Sequence, residues 1–265
     1  MAKKDGRIVA AENETRVLRA LHRFGWLRTR DVAALLWTPW QRHPAAQLDV
    51  GPVVASASGL RMAQYTLRRL ADGRQALRGR GPDGSVLYAL AEASARRLRQ
   101  MAVPAVSGKD IVRSVSPAYF RHRTVANEIA IAAIAQGFRV STEREIAQDR
   151  WVGGAAGIAG KKPDVLMNDR GRITWVEVEK SVKRKADFDR LVVWVAKVGN
   201  DTRQPSGSVL LGDGLRWDRL VFVCTPAFEG RLRRALAVAG WRPELLDAFV
   251  SFVTVLYSFE DISFA

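Results

Sequence analysis

Apolar residues recur at helical spacing through the first third of the chain. Val17, Leu18, Leu21 and Phe24 lie on one helical stripe. That stripe predicts a helix capped by Asn13 and stopped by Gly25, after a basic, frayed lead-in over residues 1–11. A second helix, DVAALLW, starts behind Thr29 and turns Val32, Leu35 and Leu36 to a core. Residues 38–59 are rich in Pro, Gly, Ala and Ser and read as an inserted loop. A third helix over 59–71 has the stripe Leu60, Ala63, Leu67 and Leu70, with Arg61, Gln64, Arg68 and Arg69 on its other side. Two short apolar runs then flank Pro82-Asp83-Gly84, a β-hairpin signal that places Arg78 and Arg80 on the first strand. A further helix begins near Ala91.

Pro104 and Gly108 precede a linker over 109–116. Ser116-Pro117 opens a helix to about residue 136, with Val125, Ile129, Ala132 and Ala133 facing inward. FRVSTEREI reads as a strand leading into a polar segment. From 161 the period changes. VLM follows Asp164, Asn168-Asp169-Arg170-Gly171 makes a turn, and ITWVEVE reads as a second strand. A helix over 181–199 turns Phe188, Leu191, Val192 and Val195 to a core. RLVFVCT at 219–225 is a buried strand, 228–240 is an amphipathic helix, and 245–258 holds a last strand. This order predicts an α/β (α+β) protein of two domains.

Charge assigns a partner to the first of them. The 265 residues carry a net +15, with a pI near 10.8. Residues 1–109 hold 19 Lys and Arg against 8 Asp and Glu, a net +11. Helix, helix, helix, hairpin is the order of a winged helix-turn-helix, in which the third helix enters the major groove and the hairpin touches the backbone. Arg61, Gln64, Arg68 and Arg69 suit the groove; Arg78 and Arg80 suit the wing. The expected partner is double-stranded DNA. A solvated polar face is the plainer reading of each arginine taken alone.

Other chemistry is excluded. One cysteine, Cys224, rules out an internal disulfide and a cysteine-rich zinc site. His22, His43 and His122 are too scattered for a histidine metal motif. No apolar run is long enough to cross a membrane, and the start lacks a signal-peptide core, so a cytoplasmic protein is expected. WVGGAAGIAGKK fails the phosphate-loop pattern, because Ala155 stands where its first glycine belongs and nothing helical follows. No nucleotide cofactor is expected.

The carboxylates of 161–183 are the remaining candidates. On a strand, Ile173, Trp175, Glu177 and Glu179 share one face, and Glu177 and Glu179 lie about 7 Å apart. A hairpin brings Asp164 beside them. Hard cations take oxygen ligands, so Asp164, Glu177 and Glu179 form a candidate Mg²⁺ or Mn²⁺ site, with Glu128 reaching it from the flanking helix. The alternative is ion pairing of the glutamates with Lys161, Lys162 or Lys180 and nothing more.

Pro163-Asp164 followed by Glu177-Val178-Glu179 and then a helix resembles the PD-(D/E)xK nuclease-like fold. The resemblance implies that Asp164 and Glu177 hold Mg²⁺ and that a lysine two residues on positions water. Glu179 occupies that position here, and Lys180, the next residue, faces the other side of an ideal strand. The full layout, with LYALAEASARRL, FRHRTVANEI, KKPDVLM and WVEVEKSVKRK, resembles the plasmid replication-relaxation family over about residues 14–225. The boundaries expected are 1–108 for a winged helix-turn-helix, 109–116 for the linker and 117–265 for a nuclease-like domain. The resemblance implies a DNA-binding protein of a plasmid or other mobile element, acting in relaxation, mobilisation or replication with other such proteins; the sequence leaves the oligomeric state open, a dimer being one option. The alternatives are a Mg-dependent DNA endonuclease or nickase using Asp164, Glu177, Glu179 and Lys180, and a transcriptional regulator with a catalytically dead nuclease-like domain.

Overall fold

The computed structural model describes residues 5–45, 48–113, 116–179, 184–205, 207–212 and 214–254. The chain is α+β and forms two compact units that divide after Gly137.

The first unit opens with α1 (Gly6–Phe24) and β1 (Trp26–Arg28). The helix starts well before Asn13, because Asp5 caps it: the Asp5 carboxylate accepts from the Arg7 N–H at 2.9 Å. Gly25 ends α1 at φ 79°, its N–H donating to Leu21 O at 2.8 Å. In α2 (Thr29–Trp37) Thr29 is the first helical residue rather than the cap, and Asp31 accepts from the Arg28 N–H at 2.8 Å. Then come α3 (Ala57–Asp72), capped by Ser56, and the hairpin β2 (Ala76–Arg80) and β3 (Val86–Leu90). The sheet order is β1-β3-β2, all antiparallel. Along α3, Ala63, Thr66, Leu67 and Leu70 are buried; Leu60 lies in the first turn and is exposed.

The helices α4 (Glu92–Gln100), α5 (Lys109–Arg113) and α6 (Pro117–Ala135) complete this unit. The boundary therefore falls after α6. This helix is bonded to the first unit: Arg123 donates to Phe24 O at 2.7 Å and Asn127 to Trp26 O at 3.2 Å. Phe120 stacks on Trp26 with centroids 5.3 Å apart. The long loop after α2 is pinned as well. Gln41 N–H donates to Ala135 O, and Asp49 N–H to Gln136 Oε1, both at 2.8 Å.

The second unit is a five-stranded sheet in the order β4-β5-β6-β7-β8. Its strands are β4 (Arg139–Ser141), β5 (Val165–Asp169), β6 (Arg172–Glu179), β7 (Arg216–Cys224) and β8 (Val250–Val253). The pairs β4/β5 and β5/β6 are antiparallel; β6/β7 and β7/β8 are parallel. The connection from β6 to its parallel neighbour runs through α8 (Lys185–Asp201), and α9 (Pro226–Val238) follows β7. Two short helices, α7 (Glu143–Ala147) and α10 (Pro243–Phe249), complete the unit. Phe188, Leu191, Trp194, Val195 and Val198 of α8 pack in one core with Ile173 and Trp175 of β6 and Leu220 and Phe222 of β7. Residues 172–179 alternate faces, and seven of the eight are buried, so both faces of the strand are covered, including the one that carries Glu177 and Glu179.

Candidate functional site

In the first unit, α3 presents Arg61, Gln64, Arg68 and Arg69 to solvent, and β2 presents Arg78 and Arg80. Period explains this: with 3.6 residues per turn, the buried set 63, 66, 67 and 70 leaves 61, 64, 65 and 68 on the far side. Arg69 differs from the others. Its guanidinium pairs with Glu14 of α1 and lies 5.8 Å from the Tyr65 ring centroid. Tyr65 itself is 60% exposed and Met62 41% exposed. Neither residue is among the candidates that the sequence suggests; the available signal is an aromatic at the fourth position after Arg61, on the arginine face. The hairpin tip is closed by Asp83, which accepts from Ser85 N–H at 3.0 Å and Ser85 Oγ–H at 2.6 Å. Residues 1–137 carry 22 Lys and Arg against 10 Asp and Glu, a net +12, and the remaining 128 residues a net +3.

In the second unit, Asp164 stands at the head of β5 and is laced to β6. Its N–H donates to Val176 O at 3.0 Å, and its Oδ2 accepts from Val178 N–H at 2.7 Å. Glu177 is buried, with Oε1 accepting from Trp175 Nε1 and Oε2 paired with Lys161 Nζ. Burial pushes its carboxyl up to about 7; Lys161 opposes this, and the charges of Asp164 and Glu179 reinforce it. Glu179 is buried too.

Lys161 owes its aim to the glycine-rich stretch before it. Ile158 and Lys161 pair across a two-residue turn, N–H to O at 2.9 and 3.2 Å, with Ala159 at φ 51° and Gly160 at φ 78°. Two successive positive φ values are the geometry of a tight hairpin turn. A Cβ on Gly157 would meet Lys161 O at 2.5 Å, so the turn needs glycine there. The ammonium group also sits over Trp175 and Trp194, 5.9 and 5.5 Å from their centroids. Lys162 turns away and pairs with Asp149 at 2.6 Å. Lys180 and Lys183 lie outside the described residues. Glu128 belongs to the first unit, where its carboxylate receives Arg28 Nη2 and, at 3.3 Å, Arg30 Nη2. With guanidinium groups on its carboxylate, it serves the α2–α6 junction.

As they stand, these carboxylates do not fit a divalent cation. Both oxygens of Glu177 are taken, one by a lysine ammonium, and Asp164 is spent in part on a backbone N–H. Among the described residues no three His, Cys, Asp or Glu side chains are grouped so as to hold a metal ion. Cys224 is buried and its thiol is pushed up to about 12 by burial, which disfavours the thiolate.

Beside Lys161 a groove of about 900 Å³ opens between the 159–161 turn and one face of α8. Arg184, Arg190, Trp194 and Lys197 line it together with Asp187 and Asp189. Among the described residues no helix is long and apolar enough to cross a membrane. No family model, curated protein or solved structure matches the chain.

Proposed function

We propose that this chain is a cytoplasmic DNA-binding protein of a plasmid or other mobile element. It acts in relaxation, mobilisation or replication alongside other such proteins. The observation that carries the DNA-binding part is the first unit: helix, strand, helix, helix and hairpin around a three-stranded sheet, with arginines displayed on α3 and β2. That order and charge suit a winged helix-turn-helix whose α3 lies in the major groove of double-stranded DNA. The mobile-element assignment rests on the resemblance of the full layout to the replication-relaxation family.

The second unit is read as a nuclease-like scaffold that contributes backbone contacts or docks a partner. Its Lys161–Glu177 pair favours this over a Mg²⁺-dependent endonuclease, because the ammonium already occupies an oxygen of the carboxylate a metal would need. The cationic groove along α8 is its candidate phosphate contact.

The test is duplex binding followed by fluorescence anisotropy at several salt concentrations. The wild type is expected to bind with a steep salt dependence. Arg61→Ala with Arg68→Ala is expected to weaken binding and reduce the slope of log K against log salt by about 0.9 for each phosphate no longer neutralised. Equal binding by both proteins would overturn the assignment of α3. In a supercoiled-plasmid assay with Mg²⁺ or Mn²⁺, no nicking that Asp164→Ala abolishes is expected; such nicking would restore the endonuclease reading.

A further inference from the structure

The outward stripe of α3 consists of Arg61, Gln64, Tyr65 and Arg68, at spacings of three, four and seven residues from the first. An aromatic ring that is 60% exposed in the middle of a polar stripe costs hydration free energy unless a partner covers it. This ring is also braced. Arg69, one turn further along, lies 5.8 Å from the ring centroid, and its guanidinium is anchored by the carboxylate of Glu14 on α1. A guanidinium beside the ring restricts it from one side and leaves the rest of it open. Tyrosine has only two side-chain torsions to fix, so a braced tyrosine presents a large contact at low entropic cost.

Resting on the reading of α3 as the recognition helix, we propose that Tyr65 is a specificity-determining residue. Its ring packs on the C5-methyl group of a thymine in the major groove. Arg69 and Glu14 are positioning residues that hold the ring, and Arg69 is not itself a DNA contact. The methyl group of thymine is the one apolar feature on the major-groove edge of a base pair, and apolar side-chain atoms recognise it. Arg61, Gln64 and Arg68 flank the ring and supply the polar contacts to neighbouring bases and phosphates.

The experiment uses the full chain and a duplex pool with a randomised core. The sequences retained by the wild type are determined, and each preferred thymine is then replaced by uracil, which removes only the methyl group. For the wild type, one such replacement is expected to weaken binding about fivefold, the low end of what one base-pair contact is worth. Tyr65→Ala is expected to bind thymine and uracil duplexes equally, and Tyr65→Phe to discriminate as the wild type does. Arg69→Ala is expected to lose part of the discrimination while keeping the wild-type salt slope, because the same phosphates remain neutralised.

The proposal is overturned if Tyr65→Ala still discriminates, or if Tyr65→Phe loses as much as Tyr65→Ala, which would assign the hydroxyl to a phosphate. It is also overturned if the wild type binds the pool with no sequence preference, a result that leaves DNA binding by α3 standing. Failure of the wild type to retain any duplex would instead remove the DNA-binding reading itself, and this proposal with it.

Discussion

Glu177 makes the stability of the second unit depend on pH in the direction opposite to most carboxylates. Its carboxyl is raised from 4.5 to about 7 by burial against the Trp175 side of β6, and the nearby charges of Asp164 and Glu179 add to this. Lys161 works the other way without overcoming it. A group that holds its proton more tightly when folded favours the fold in acid. The stability it contributes is fully present below about pH 4.5 and is lost as pH rises through about 7. Each tenfold gain in proton affinity is worth about 1.36 kcal/mol, so the change across that window is about 3 kcal/mol.

The measurement is a difference, which cancels the pH response of the rest of the chain. Glu177→Gln keeps the shape and the acceptor for Trp175 Nε1 but cannot titrate. Urea unfolding is followed by tryptophan fluorescence, to which this site contributes four of the eight tryptophans, Trp151, Trp175, Trp194 and Trp217. Wild-type stability minus that of Glu177→Gln is expected to fall by about 3 kcal/mol between about pH 4.5 and 7.5. A flat difference would refute the burial argument. A difference that grows with pH would mean that the Lys161 ammonium dominates and holds the carboxylate ionised.

Three further outcomes test the packing. Arg28 is buried and bonded to Asp31 and Glu128. Arg28→Met removes the buried cation between these two carboxylates, and a loss of roughly 3–5 kcal/mol in a thermal melt of the first unit is expected; a loss below about 1 kcal/mol would show that water takes over. Asp201 accepts from Ser208 Oγ, Val209 N–H and Trp217 Nε1, and so holds the chain between α8 and β7. Asp201→Ala is expected to cost about 3 kcal/mol in urea unfolding, and Asp201→Asn less, because it keeps one oxygen acceptor. Gly199→Ala should destabilise by roughly 1–3 kcal/mol although alanine is the better helix former. Its Cβ would lie 2.2 Å from the Trp241 ring. A stabilised variant would refute that close approach.

The strongly patterned elements are legible in the sequence. The α3 stripe and the Pro82-Asp83-Gly84 turn specify the helix and hairpin locally, so α3, β2 and β3 fall where the pattern puts them. Strand β1 does not show, because three residues carry no period and its pairing with β3 is set by the fold. The start of α1 is hidden because the segment after Asp5 has few apolar residues, and only the cap marks the beginning. Thr142 and Glu145 form a capping box, each accepting from the other's backbone N–H; that pair is the local mark of α7 inside what reads as a polar segment. Helix α6 looks like part of the second domain because a linker precedes it. Its allegiance is set by Arg123, Asn127 and Glu128, whose partners lie about 100 positions earlier.

The candidate site divides along the same line. Period two alone puts Glu177 and Glu179 on one face with Trp175, and β6 carries all three on the α8 side of the sheet. What occupies the space between the carboxylates and the aromatic rings does not follow from spacing. The nuclease motif asks for its lysine two residues after Glu177, on the same strand. The chain instead supplies an ammonium from Lys161, sixteen positions earlier and on a different segment. Lys161 is one of the lysines the sequence offers for such a pair, and the fold of the 157–161 turn, with its left-handed Gly157, Ala159 and Gly160, is what selects it. The glycines that imitate a phosphate loop therefore have a mechanical reason: they bend the backbone so that one lysine reaches a buried glutamate. A cation carried on a side chain, unlike a metal ion, does not dissociate. The second unit thus keeps one fixed side-chain cation at its acidic strand end, on the carboxylate of Glu177.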